Sequence, residues 1–108
     1  MIETRAAFEA VDAILATPGL DGIFLGPADL SVALSGGSSL DPSGESIDAA
    51  LVHALDRGRA AQKLVGVYAT TGARAATFLK QGFPLVAVAS DAALLRLGAK
   101  ETIRAARR

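Results

Sequence analysis

The sequence predicts an α/β fold, a parallel sheet covered by helices. Segments with apolar residues at helical spacing alternate along the chain with short apolar runs. Those runs are apolar throughout, as strands buried on both faces are, and turn residues separate the segments.

The elements follow in order. Residues 1–3, MIE, read as the end of a first strand. Residues 4–16, TRAAFEAVDAILA, place Ala7, Phe8, Val11, Ile14 and Leu15 on one helical stripe, with Thr4 suited to the N-cap. DGIFLG, residues 21–26, is β-branched and aromatic, bounded by turn residues and too short for a helix, so it reads as a buried strand. A Gly-Pro break and Asp29 come next, just before or within a helical turn. SGGSSLDPSG, residues 35–44, is the one loop-rich segment. Ile47, Leu51, Ala54, Leu55 and Gly58 then recur at helical spacing to about Gln62, and LVGVYA, residues 64–69, is a second apolar strand. Thr71 caps a helix carrying Ala75, Phe78 and Leu79 that Gly82 ends. PLVAVAS, residues 84–90, is the last strand, and from Ser90 or Asp91 a final helix carries Leu94, Leu95 and Ile103 into the basic end RAARR.

Two closures of such a sheet stay open: a small open doubly wound sheet, or four βα units of an eight-stranded (β/α) barrel, which normally needs about 250 residues. A length of 108 residues favours the first. The carboxylate of Glu3 at a strand end favours the second, because a barrel's chemistry sits at the C-terminal ends of its strands.

Composition excludes several function classes. Eleven basic and eleven acidic residues cancel, so no charge excess points to nucleic acid or an anionic membrane, and a single His leaves few soft metal ligands. With no Cys there is no disulfide, no thiolate nucleophile and no cysteine zinc site. No apolar run approaches the roughly 18 residues of a membrane span, and acidic Glu3 does not suit a secretory leader, so a soluble cytoplasmic protein is expected. No glycine-rich nucleotide-binding motif occurs.

Glu3 and Asp29 are the candidate site residues. Each follows an apolar strand, and their separation of 29 − 3 = 26 residues is about one βα repeat, so neighbouring parallel strands would present both at one rim. Two converging carboxylates without a basic partner call for a proton or a cation between them, and Mg²⁺ or Mn²⁺ meets that need while leaving positions for substrate oxygens. The backbone N–H groups of Ala28 and Asp29, at a helix start, are placed to receive a substrate carboxylate. Taken alone, an Asp at this position is more simply a helix cap.

IETRAAFEAVDAILATPGLDGIFLGPADLSVAL, continued by LVGVYA and LVAVASDAALL, resembles the core signature of the HpcH/HpaI aldolases, metal-dependent class II pyruvate aldolases. That family includes 4-hydroxy-2-oxoheptanedioate, 2-keto-3-deoxyrhamnonate and 2-dehydro-3-deoxyglucarate aldolases. The resemblance covers nearly the whole chain and implies that residues 1–108 are a single domain, the C-terminal half of a TIM (β/α)8 barrel. It implies that Glu3 and Asp29 ligate a divalent ion, Mg²⁺ or Mn²⁺ with Co²⁺ as a further candidate. That ion would hold pyruvate through its carboxylate and keto oxygens, assisted by the N–H groups of Ala28 and Asp29. The implied reaction is a carbon–carbon lyase step, retro-aldol cleavage of a 2-keto-3-deoxy or 4-hydroxy-2-oxo acid to pyruvate and an aldehyde.

The sequence also departs from the family pattern. The half of the barrel that supplies a His for base chemistry and an Arg for the pyruvyl group has no counterpart, so no catalytic residue is identified. Met1 stands where relatives commonly carry Gln, and residues 35–44 lack their Pro/His-rich character. His53 reads as a solvated helical His, and Arg57, Arg59, Lys63, Arg104, Arg107 and Arg108 as solubilising. Thr70, Thr71 and Gly72 form a strand-end turn that could line the site, although capping explains them. A half-barrel exposes two sheet edges and one apolar face, so the expected partners are a keto acid such as pyruvate and either a second copy or a complementing half-barrel. Two other readings are a catalytically silent half-barrel that self-associates or docks on a partner, and an autonomous open-sheet binding module of flavodoxin-like shape.

Overall fold

A computed structural model describes residues 1–108. The chain runs through helix α1 (Arg5–Glu9), helix α2 (Val11–Leu15), strand β1 (Gly22–Leu25), helix α3 (Pro27–Leu34), helix α4 (Glu45–Ala60), strand β2 (Leu64–Ala69), helix α5 (Gly72–Gln81), strand β3 (Leu85–Val88) and helix α6 (Asp91–Ala106). The three strands form one parallel sheet in the order β1-β2-β3, with Gly22 opposite Leu64 and Gly66 opposite Leu85. The first expected strand contributes a single parallel bridge, Ile2 to Leu25. Only Ile2 lies within the ladder: its N–H donates to the Phe24 carbonyl at 2.8 Å and its carbonyl accepts from the Gly26 N–H at 3.2 Å.

Local chemistry accounts for the element ends. Thr4, Thr71 and Ser90 each accept a backbone N–H three residues on, at 3.1, 3.2 and 3.3 Å, and so cap α1, α5 and α6. Gly82 ends α5 in the left-handed region at φ +92, where a side chain would be strained. The expected helix over residues 4–16 bends at Ala10 (φ −92, ψ 13) into α1 and α2, and Val11 and Leu15 turn into the core.

The core lies between one face of the sheet and the helices α2, α4 and α5. Ile23, Leu25, Val65, Val67 and Ala69 point into it and meet Leu51, Ala54, Leu55, Ala75 and Phe78. Each fully buried Leu or Val contributes about 1.5–3 kcal/mol relative to exposure. The opposite face is apolar yet uncovered. Leu64 is 61% exposed and Leu85 58%, and with Met1, Phe24 and Gly66 they line a shallow trough of about 380 Å³. The uniformly apolar runs suggest burial on both faces, but helices cover one side only, which matches the one exposed apolar face expected of a half-barrel. A doubly wound sheet carries helices on both faces, so this arrangement is instead that of consecutive βα units of a barrel with its interior face open.

The last helix departs from expectation as well. Leu94, Leu95, Leu97 and Ile103 of α6 are exposed, and none of its residues is buried. No helix is long and apolar enough to cross a membrane.

Three cations expected on the outer surface tie elements together. Arg57 Nε donates to Asp12 at 2.6 Å, joining α4 to α2. Arg59 donates to the Gln81 and Gly82 carbonyls at 3.2 and 3.3 Å, at the C-terminal end of α5, and Lys63 Nζ donates to the Leu20 carbonyl. Their partners lie 22 to 45 residues away in sequence, beyond the reach of a helical-wheel reading. A fourth cation, Arg74, pairs with Asp48 across α5 and α4 and stacks 4.3 Å from the Phe78 ring centre, while its Nε is buried and meets no acceptor. The Arg74 side chain is only 16% exposed. Asp48→Ala is therefore expected to cost about 1–3 kcal/mol by leaving that guanidinium without its anion. A urea midpoint shift worth less than about 0.5 kcal/mol would count against it.

Candidate metal centre at the strand ends

Glu3 sits one residue past the Ile2 bridge, at the C-terminal end of its strand stub. Its half-buried side chain lies against Gly26: a Cβ there would come within 3.0 Å of both Glu3 Cγ and Oε1. Glycine is what allows the carboxylate to rest over the backbone where β1 passes into α3.

Gly26 is also the N-cap of α3, with Pro27 at the first helical position, where its missing N–H costs nothing. Asp29 therefore falls in the first turn, two positions after Pro27, and no side chain caps this helix. The capping role that the sequence alone suggests for Asp29 is thus not what the structure shows: the Gly-Pro pair moves the cap upstream. Asp29 is exposed, and neither it nor Glu3 enters an ion pair or a side-chain hydrogen bond. The N–H groups of Ala28 and Asp29 belong to the first turn, where no intrahelical acceptor exists and the helix dipole is positive.

The strand–helix junction so places Glu3 beside Gly26 and Asp29 one turn further on. No third His, Asp or Glu joins them in a metal-binding cluster. An unpaired carboxylate resting against Gly26 and a second in the first turn of α3 offer hard oxygens, a donor type that suits Mg²⁺ or Mn²⁺; such ions are commonly held by one or two protein carboxylates, with water and substrate completing the shell.

The other candidates fall elsewhere. His53 is exposed on α4 with its ring 5.7 Å from that of Phe8, on the outer helical layer. Thr71 is spent on capping, whereas Thr70 joins Ala28, Tyr68 and Arg74 around a cavity of about 20 Å³, room for a water and too little for a keto acid. Sequence reasoning missed Arg5, which reaches the far end of α3; nothing local in the sequence marks that contact.

Parallel strands in sequential order, helices on one face and carboxylates at the C-terminal strand ends define part of a (β/α) barrel. The chain belongs to the HpcH/HpaI aldolase/citrate lyase family, whose model matches residues 1–97. It is 38% identical over 107 residues to a hydroxypyruvate/pyruvate aldolase of Rhizorhabdus wittichii, covering 99% of this chain and 43% of that protein. A 5-keto-4-deoxy-D-glucarate aldolase of Escherichia fergusonii is 40% identical over 97 residues, covering 90% of this chain and 37% of its own length. Among solved structures, an HpcH/HpaI aldolase/citrate lyase family protein of Burkholderia cenocepacia superposes with a TM-score of 0.88 at 29% identity, over 99% of this chain and 41% of that one. The chain spans about two-fifths of the length of the relatives it matches.

Proposed function

We propose that this chain is the ion-binding C-terminal portion of a pyruvate-type aldolase, with Glu3 and Asp29 as the protein ligands of a divalent ion, Mg²⁺, Mn²⁺ or Co²⁺. The observation that carries the reading is the junction at Gly26, where a carboxylate without a protein partner rests over the glycine and a second follows in the first turn of α3. The names of the relatives support the reaction class.

Bound there, a divalent ion supplies Lewis acidity toward the carbonyl of a 2-keto acid. Glu3 and Asp29 orient it, and the Ala28 and Asp29 N–H groups donate to the substrate carboxylate at the positive end of α3. The reaction is retro-aldol cleavage of a 2-keto-3-deoxy or 4-hydroxy-2-oxo acid to pyruvate and an aldehyde, in a cytoplasmic setting. No side chain of this chain is assigned as the base. The uncovered sheet face is closed by a complementing half-barrel or a second copy.

The test supplies the remaining barrel units in trans, taken from a relative such as the Rhizorhabdus enzyme, and follows pyruvate release from a 2-keto-3-deoxy acid. Cleavage lost on chelation and restored by Mg²⁺ is expected. Assembly without ion-dependent cleavage would favour the second reading, a catalytically silent half-barrel that docks or self-associates, for which the exposed Leu64, Leu85 and Phe24 face speaks.

A further inference from the structure

We propose that Arg5 is a positioning residue for the ion site: it clamps the C-terminal end of α3 and thereby holds Asp29 in place relative to Glu3. The inference rests on the reading of Glu3 and Asp29 as ligands.

Helix α3 has two turns and carries Asp29 in the first. Its N-terminal end is bound to the strand stub, since the Gly26 N–H donates to the Ile2 carbonyl at 3.2 Å. Its C-terminal end is bound by Arg5, whose Nη2 donates to the Leu34 carbonyl at 2.6 Å and to Ala33 at 3.4 Å. No backbone N–H reaches the Leu34 carbonyl, so the guanidinium satisfies an orphan acceptor and places positive charge at the negative end of the helix. Both ends of α3 are thus fastened to residues 2–5, the segment that contains Glu3.

The remaining anchors do not fix direction to the same degree. Pro27 and Leu30 are buried and Leu34 packs against the core, contacts without the directionality of a hydrogen bond, and Ser31 Oγ accepts from the Asp41 N–H at 3.1 Å, which ties the middle of the helix to the following loop. Without Arg5 the helix can swing about Gly26, and a swing at that hinge moves Asp29 against a Glu3 that the Ile2 ladder keeps still. Asp29 lies about 4.5 Å of helix from the Gly26 pivot and Leu34 about 12 Å, so a swing that frees the C-terminal end carries Asp29 through roughly a third of the same displacement.

The experiment measures Mn²⁺ affinity by electron paramagnetic resonance on the full chain and on Arg5→Ala, Arg5→Lys, Arg57→Ala and Asp29→Asn, with amide hydrogen exchange recorded on each. Arg5→Ala is expected to weaken Mn²⁺ by about tenfold, the low end of the effect of residues that orient ligands, and to speed exchange at Ala28–Leu30. Arg5→Lys, which keeps a cationic donor, should restore affinity to within about twofold. Arg57→Ala removes a comparable surface tie that does not touch α3, and its affinity should equal that of the parent. Equal affinity and equal exchange in Arg5→Ala would overturn the inference, as would an equal loss in Arg57→Ala. Should Asp29→Asn bind Mn²⁺ as the parent does, the ligand reading falls, and the exchange at Ala28–Leu30 alone then decides whether Arg5 clamps the helix.

Discussion

Asp29→Ala is expected to remove specific divalent-ion binding, weakening Mn²⁺ by roughly tenfold or more, and to abolish ion-restored pyruvate release in the completed barrel. The loss should leave the fold nearly untouched. Asp29 is exposed, bonds to no other side chain and caps nothing, so its removal forfeits at most the favourable placement of an anion in the first helical turn, about 0.3–1 kcal/mol. Ion titration and urea unfolding on the same preparation separate the two effects. Retained affinity would end the ligand assignment.

Phe78→Ala is expected to be the most damaging single core change, costing about 3–5 kcal/mol. Its ring is 1% exposed, lies edge-on to Phe83 at 5.3 Å and supports the Arg74 guanidinium from below. Truncation opens a cavity, removes an aromatic pair and leaves Arg74 without its platform. Domains of this kind hold only some 5–15 kcal/mol in total, so the variant should unfold at far lower urea. Phe78→Leu should lose much less, about 1–1.5 kcal/mol. A loss below about 1.5 kcal/mol for the alanine variant would show that α5 does not depend on this ring.

Much of the fold was legible because it is encoded locally. The apolar run over residues 64–69, the Thr71 cap and Gly82 act within a few residues of one another, and the structure places β2 and α5 at Leu64–Ala69 and Gly72–Gln81. What escaped depends on distance or on what lies across a face. A strand apolar on both sides reads the same whether or not both are covered, so periodicity alone did not show the open side bearing Leu64 and Leu85, although the half-barrel reading anticipated one uncovered apolar face. The leucines of α6 have helical spacing, yet none of them is buried. Arg57, Arg59 and Lys63 could be placed on a helix exterior, yet their partners come from other elements.

The candidate site divides in the same way. Glu3 and Asp29 stood out by spacing and by resemblance, whereas two particulars are set by the folded arrangement. One is the position of the cap: Gly26 and Pro27 open α3, which leaves Asp29 free of the capping role. The other is the clamp by Arg5, 29 residues in sequence from the carbonyl it meets at Leu34.

The strand register also implies an order of assembly. Leu85 pairs with Gly66 across 19 residues (85 − 66), whereas Leu64 pairs with Gly22 across 42 (64 − 22). Closing the longer loop costs about 0.7 kcal/mol more in chain entropy, and the shorter one also encloses Phe78 and Phe83, the best-buried aromatic pair. The β2–α5–β3 segment is thus the natural nucleus, with β1 and the Glu3–Gly26 junction docking afterwards, so the chain builds its scaffold before it forms the strand end that carries Glu3.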